Sequence, residues 1–190
     1  KDYSEYVELP RMAAKVEKNA FSEQQLIDLE QMAKDGVPWA DTVLILCYTG
    51  FRISEFLGLT KYSYHADGDY LQGGIKTTAG KDRIVPVHPK IKPYLENRML
   101  QNGKTIVCND NGDVIRPDTY RKLFSTIAEA LGAPQATPHW CRHTAASRMR
   151  MAGMDEIAVK RILGHADKDV TDHYTHINVS FLRKEILKMK

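Results

Sequence analysis

The stretch Trp39-Ala40-Asp41-Thr42-Val43-Leu44-Ile45-Leu46-Cys47-Tyr48 constrains this chain more than any other. It reads as a helix that is apolar nearly all round, and such a helix belongs in an interior rather than on a surface. Thr49-Gly50 breaks it, and a short helix is predicted from Arg52 to about Leu57. Ahead of it, Phe21-Ser22-Glu23-Gln24-Gln25-Leu26 opens another helix, with Ser22 as cap, Gln25 as its capping-box partner and Phe21 placed to staple onto Leu26. That helix runs through Leu29, Met32 and Ala33 to a stop at Gly36.

The texture then changes. Tyr70 to Lys76 and Arg83 to Val87 are short β-type runs, joined by Thr77-Thr78-Ala79-Gly80-Lys81-Asp82 as a hairpin with a glycine-bearing tip. Pro86 marks the second run as an edge strand. A helix is predicted at about 89–101 and a brief strand at Thr105–Cys108, ending at Asn109-Asp110-Asn111-Gly112. From Asp118 onward helices are predicted at about 118–131, 138–152, 155–163, 168–176 and 178–190. Gly132, Gly153 and Gly164 punctuate them, and Thr137-Pro138 is a cap followed by proline at the first helical position. The expected fold class is mainly α with a small antiparallel β-sheet (α+β).

With 43% hydrophobic and 27% charged residues, the composition is that of a globular domain, not a disordered chain. No apolar run approaches the ~20 residues that span a bilayer. Residues 1–20 read as a linker or arm, with no apolar core behind a basic start as a signal peptide has, and the expectation is a larger parent with a missing N-terminal domain. Cys47, Cys108 and Cys141 are three and far apart, which fits a reducing interior and a cytoplasmic location. The net charge of +3 conceals an asymmetry: residues 1–50 carry five Lys/Arg against nine Asp/Glu, and residues 51–190 carry 22 against 15. A basic excess confined to one part of a chain attracts phosphate, although many proteins of similar charge never meet nucleic acid.

Breaking a phosphodiester without a metal requires fixed cations on the non-bridging oxygens, a nucleophile for phosphorus and an acid for the leaving oxygen. Arg52 stands at a helix start after Thr49-Gly50-Phe51. His139 and Arg142 share a helix face in Thr137-Pro138-His139-Trp140-Cys141-Arg142-His143-Thr144. His165 follows Leu163-Gly164, and Tyr174 lies in His173-Tyr174-Thr175-His176. Singly, each has an ordinary explanation as a surface charge or packing aromatic. His139 and His143, with Cys141, His173 and His176, could also be recruited to zinc, but neither HExxH nor CxxC is present, so no metal is expected. The chain likewise lacks a glycine-rich phosphate loop and a carboxylate cluster for magnesium.

Taken together, these segments resemble the catalytic domain of the tyrosine recombinases, the phage integrase family. The resemblance covers about residues 21–177 and rests on TGFRISEFLGL at 49–59, GIKTTAGKDRIVPVHP at 74–89, TPHWCRHTAASRM at 137–149 and LGHADKDVTDHYTH at 163–176. The Arg, HxxR, GH and Tyr elements follow in the family's order, with Tyr174 nine residues after His165. The flavour is that of integrases from conjugative transposons and phages. The one departure is Trp140-Cys141 inside HxxR, where the family more often has an acidic residue and leucine; neither middle residue enters the chemistry.

The resemblance implies the DNA breaking-rejoining fold over 21–177 and these roles. Arg52 and Arg142 clamp the phosphate, Tyr174 forms a 3′-phosphotyrosyl link and frees a 5′-hydroxyl, and Lys76 protonates that leaving oxygen. His139 accepts the tyrosine proton, and His165 donates to the phosphate. Lys81, five residues beyond Lys76, is the alternative acid. No cofactor is implied: strand exchange and religation need neither ATP nor metal. The implied partners are double-stranded DNA, further copies of the chain as a dimer or tetramer, and an accessory DNA-bending or excision protein.

Two rival functions share features with this one. A type IB topoisomerase would use the same residues to relax DNA. A helix-turn-helix regulator would explain the apolar spacing and turn glycine at 157–170, but not Arg52 or the hairpin. Residues 178–190 read as a C-terminal helix with Val179, Leu182, Ile186 and Met189 on one stripe. About 13 residues are marginal as a lone helix, so the stripe must dock. Its own domain is one destination; the resemblance implies a neighbouring protomer instead.

Overall fold

The computed structural model describes residues 19–74, 82–165 and 178–190. Its elements are α1 (Glu23–Lys34), α2 (Ala40–Thr49), α3 (Ile53–Leu57), β1 (Tyr64–His65), β2 (Tyr70–Gly73), β3 (Arg83–Pro86), α4 (Lys92–Met99), α5 (Pro117–Ala130), α6 (Pro138–Met151), α7 (Glu156–Leu163) and α8 (Val179–Ile186). The predicted helix at 168–176, the hairpin tip with Lys76 and Lys81, and most of the arm at 1–20 lie outside the described residues. No described helix is long and apolar enough to cross a membrane.

α2 is the axis of the core. Val43, Leu44, Ile45, Leu46 and Cys47 are all buried, and α1 and α6 pack against the helix. Trp39 lies outside it, in a left-handed conformation that turns the chain into Ala40. α1 begins on the expected capping box, Ser22 accepting from the Gln25 N–H while the Gln25 side chain takes the Ser22 N–H. These bonds satisfy two donors that the first helical turn cannot.

The sheet is antiparallel in the order β1-β2-β3, so Pro86 does lie on an edge strand. β1 was not anticipated; at two residues it is too short to show an alternating pattern. Thr105–Cys108 is not a strand but makes two isolated bridges, Thr60↔Thr105 and Cys108↔Val114. A 3-10 turn at Lys61–Ser63 follows Thr60 and stops a ladder from extending, while Ile106 and Val107 go into the core. The predicted helix at 89–101 is shorter, because His88–Ile91 forms turns before Pro93 starts the regular helix.

α8 is seated in cis, against β3 and α7, so of the two destinations open to the stripe its own domain is the one occupied here. Leu182, Ile186 and Met189 are buried. The end of the tail is tied down as well. The Lys90 N–H donates to His88 Nδ1, which leaves the proton on Nε2, and Nε2–H donates to the Met189 carbonyl at 3.0 Å. Arg148 donates to the Lys190 carbonyl from above the Tyr48 ring. Leu182→Ala should therefore cost about 2–5 kcal/mol of folding stability, the range for emptying a buried leucine site. Urea unfolding should show a lower midpoint with an unchanged slope; an unchanged midpoint would mean that α8 is not part of this core.

Candidate active site

Three chain turns converge on Arg142. α6 starts with Thr137 as cap and Pro138 at the first helical positions, so His139 and Arg142 occupy its first turns. Arg142 is only 6% exposed. Its Nη1 donates to the Gly50 carbonyl at 2.6 Å and its Nη2 to the Leu163 carbonyl at 2.5 Å. Each of those carbonyls lies two residues before another predicted site residue, Arg52 in one case and His165 in the other. A single guanidinium thus sets the α2–α3 turn and the end of α7 relative to each other.

Gly50 is required here on two counts. Its φ of 65° lies in the left-handed region, and a Cβ would stand 2.6 Å from Leu163 Cδ2. Gly164 ends α7 with φ 66°, and the His165 N–H returns to the Lys160 carbonyl, which sends His165 off the helix end.

Arg52 caps α3, and the Glu55 carboxylate holds it twice: Nη1 donates to Oε1 at 3.0 Å and the backbone N–H to Oε2 at 3.0 Å. Glu55 is 1% exposed. Its Oε2 also accepts from Arg83 Nη2 at 2.8 Å, while Arg83 Nε donates to the Ile162 carbonyl and its guanidinium lies 4.6 Å from the Phe51 ring centre. Burial pushes the Glu55 carboxyl up, but the hydrogen bonds and charges of Arg83 and Arg52 overcome this and hold it down to about 2.

Sequence reasoning missed both Glu55 and Arg83. Glu55 was detectable as an acid three residues after Arg52, hence on the same helix face. Arg83 alternates with Val85, and both are buried.

The site is strongly cationic. Burial, then the charges of Arg52 and Arg83, lower the Arg142 pKa to about 10, which still leaves it charged at neutral pH. Burial comes first for His139 too, followed by His143, Arg142 and Arg52, and its pKa falls below the ordinary histidine value. Burial and then Arg142, Arg150, Arg52 and Arg83 do the same to His165. Both imidazoles are therefore neutral at neutral pH, one able to accept a proton and the other to donate an N–H. The unfolded chain binds these protons more tightly. Stability thus falls as pH drops below the ordinary histidine range and levels off once the folded pKa values are passed. NMR titration of the two rings should give midpoints below ~6.5, moving upward when an anion occupies the site. Midpoints at or above that value in the free protein would contradict this electrostatic picture.

The structure thus gathers Arg52, His139, Arg142 and His165; Lys76, Lys81 and Tyr174 are outside the described residues. His139 and His143 meet edge to face at 4.5 Å. Cys141 is fully buried in the core, and no group of three His, Cys, Asp or Glu among the described residues could hold a metal ion. The unusual pair inside HxxR packs: Trp140 against Phe21 at 5.8 Å, Cys141 in the core.

The family model of the phage integrase family matches residues 19–180, and the chain belongs to that family. It is similar to tyrosine recombinase XerA of Thermococcus onnurineus (strain NA1), 33% identical over 150 residues that make up 74% of this chain and 51% of that protein. It is also similar to tyrosine recombinase XerD of Lacticaseibacillus casei, at 31% identity over 68% of this chain and 47% of that one. Among solved structures, a crystal structure of XerA recombinase matches with a TM-score of 0.66 at 26% identity, covering 87% of this chain and 62% of that chain. The Tn1549 transposon integrase in complex with circular intermediate DNA shares the fold, with a TM-score of 0.68 at 21% identity over 78% of this chain and 59% of that chain. The chain spans about half the length of the curated relatives it matches.

Proposed function

We propose that the chain is the catalytic part of a site-specific DNA recombinase that cuts and rejoins strands through a tyrosine. The observation that carries this reading is the Arg142 guanidinium bridging the Gly50 and Leu163 carbonyls, which brings Arg52 and His165 together with His139 around one cationic centre. Among the described residues, Glu55 takes Nη1 of Arg52, so the Nε–Nη2 edge of that fork is available to a phosphate. Arg142 keeps three N–H groups beyond the two given to carbonyls.

The proposed step balances as follows. Tyr174 Oη bonds to phosphorus, and its proton passes to neutral His139. The bond from phosphorus to the 5′ oxygen breaks, and that oxygen takes a proton from Lys76. The clamp neutralises charge that grows on the non-bridging oxygens, the effect that oxyanion donors supply elsewhere. Because the phosphotyrosyl bond preserves the energy of the broken diester, religation requires neither ATP nor metal.

Double-stranded DNA is the proposed substrate, in a bacterial cytoplasm or nucleoid, with the chain assembling as a dimer or tetramer on it and an accessory DNA-bending or excision protein assisting. A lambda integrase of the same fold was solved as a tetramer bound to a Holliday junction.

The reading is tested by incubating the chain with two different duplexes carrying its site, in chelator and without ATP. Joined recombinant strands are expected. Relaxation of supercoils without joining would indicate the topoisomerase reading, and retention of DNA with no cleavage the regulator reading. For the acid, a substrate with sulfur at the 5′-bridging position has a leaving thiolate that needs no proton, so it should rescue Lys76→Ala. Rescue of Lys81→Ala instead would move the role to Lys81.

A further inference from the structure

We infer that Arg83 is a positioning residue that frees Arg52 for the phosphate by occupying half of the Glu55 carboxylate. This rests on the recombinase reading and extends it to a residue that touches no substrate. Glu55 has two oxygens and two arginine partners. Arg83 takes Oε2, so Arg52 meets the carboxylate with one guanidinium nitrogen and its backbone N–H rather than with a two-pronged fork. Planar forks on carboxylates are the tightest of these pairs, and an Arg52 so held would present its charge to Glu55 instead of to DNA.

Arg83 is suited to that part. Its side chain is 3% exposed, and its Nε is fixed by the Ile162 carbonyl on α7. The Phe51 ring lies beside its guanidinium, next in sequence to Arg52. The charge pattern supports the same conclusion: the buried Glu55 carboxylate pairs with Arg52 and Arg83 while Arg142 lies in its field, so three arginines near one carboxylate leave net positive charge for an anion. Arg83 contributes the surplus without spending its own donors on the phosphate. It also holds the end of α7, where Arg142 grips the next carbonyl along.

The test is single-turnover cleavage of a nicked half-site duplex at saturating protein, with half-site binding and thermal unfolding measured on the same preparations. Arg83→Met should slow cleavage about tenfold or more, the scale of losing one hydrogen bond to a charged group, with half-site binding retained. Adding Glu55→Gln to Arg83→Met should restore much of that rate, because an uncharged amide cannot capture Arg52. A residue that served only the fold would show the opposite, since removing a second buried partner destabilises further. The defect of Arg83→Met relative to wild type should also shrink as pH falls, because Glu55, without its Arg83 bond, protonates more readily and releases Arg52.

Arg83→Lys keeps the charge opposite Glu55 and should cleave faster than Arg83→Met; if the methionine variant does not fold, the lysine variant should cleave at close to the wild-type rate. A double variant as slow as Arg83→Met, or a folded lysine variant as impaired as the methionine one, overturns the inference while wild-type cleavage leaves the recombinase reading intact. Failure of the wild-type chain to cleave overturns both.

Discussion

Arg142→Ala should slow DNA cleavage by about 10²–10³-fold or more, the loss that follows removal of an oxyanion donor from a preorganised site. Two effects combine. The substitution removes a cation from the developing phosphate charge, and it releases the Gly50 and Leu163 carbonyls that set the turns leading to Arg52 and His165. Buried carbonyls without donors cost about 1–3 kcal/mol each. Relief of the repulsion between Arg142, Arg52 and Arg83 offsets part of that, so the stability loss should be modest beside the loss of rate. Arg142→Lys should rescue poorly, because one ammonium cannot span two carbonyls and still offer a fork to phosphate. Single-turnover cleavage beside urea unfolding separates the terms; near-normal cleavage by the lysine variant would remove Arg142 from the clamp.

Tyr174→Phe should abolish covalent attachment altogether and leave duplex binding unchanged. Only a hydroxyl is lost, and the aromatic ring is kept. The cationic centre proposed to hold the DNA phosphate is built from Arg52 and Arg142, which the substitution does not touch. A variant that binds DNA and forms no adduct assigns the nucleophile. Any adduct formed by it would place the nucleophile elsewhere.

Local chemistry was legible where neighbours in sequence decide it. The Ser22–Gln25 capping box is a three-residue relationship, and the stops at Gly36, Gly50 and Gly164 follow from glycine's ability to take positive φ without strain. The apolar α2 announced its own burial. Arg52, His139, Arg142 and His165 were nominated through their motifs, and the fold brings these four together from the part of the chain that carries the basic excess.

Relationships spanning long separations were not legible. Arg142 meets Gly50 across 92 residues, and Arg83 meets Glu55 across 28. No periodicity records such pairings, and an arginine starting a β run looks like any surface cation until the strand is placed against α3 and α7. The destination of α8 was equally hidden: its stripe states that it must dock, while the carbonyl contacts from His88 and Arg148 that retain its end in cis exist only in the folded chain.

Covalent capture of a nicked duplex tests the central claim most directly. The nick lies close to the cleavage site, so the short freed strand carrying the 5′-hydroxyl diffuses away and religation fails. Denaturing electrophoresis should show a protein–DNA adduct formed in chelator without ATP. Peptide mass mapping should place a 3′-phosphate on Tyr174. Cleavage with no adduct, a 5′-linked adduct, or attachment to any other residue would contradict the account.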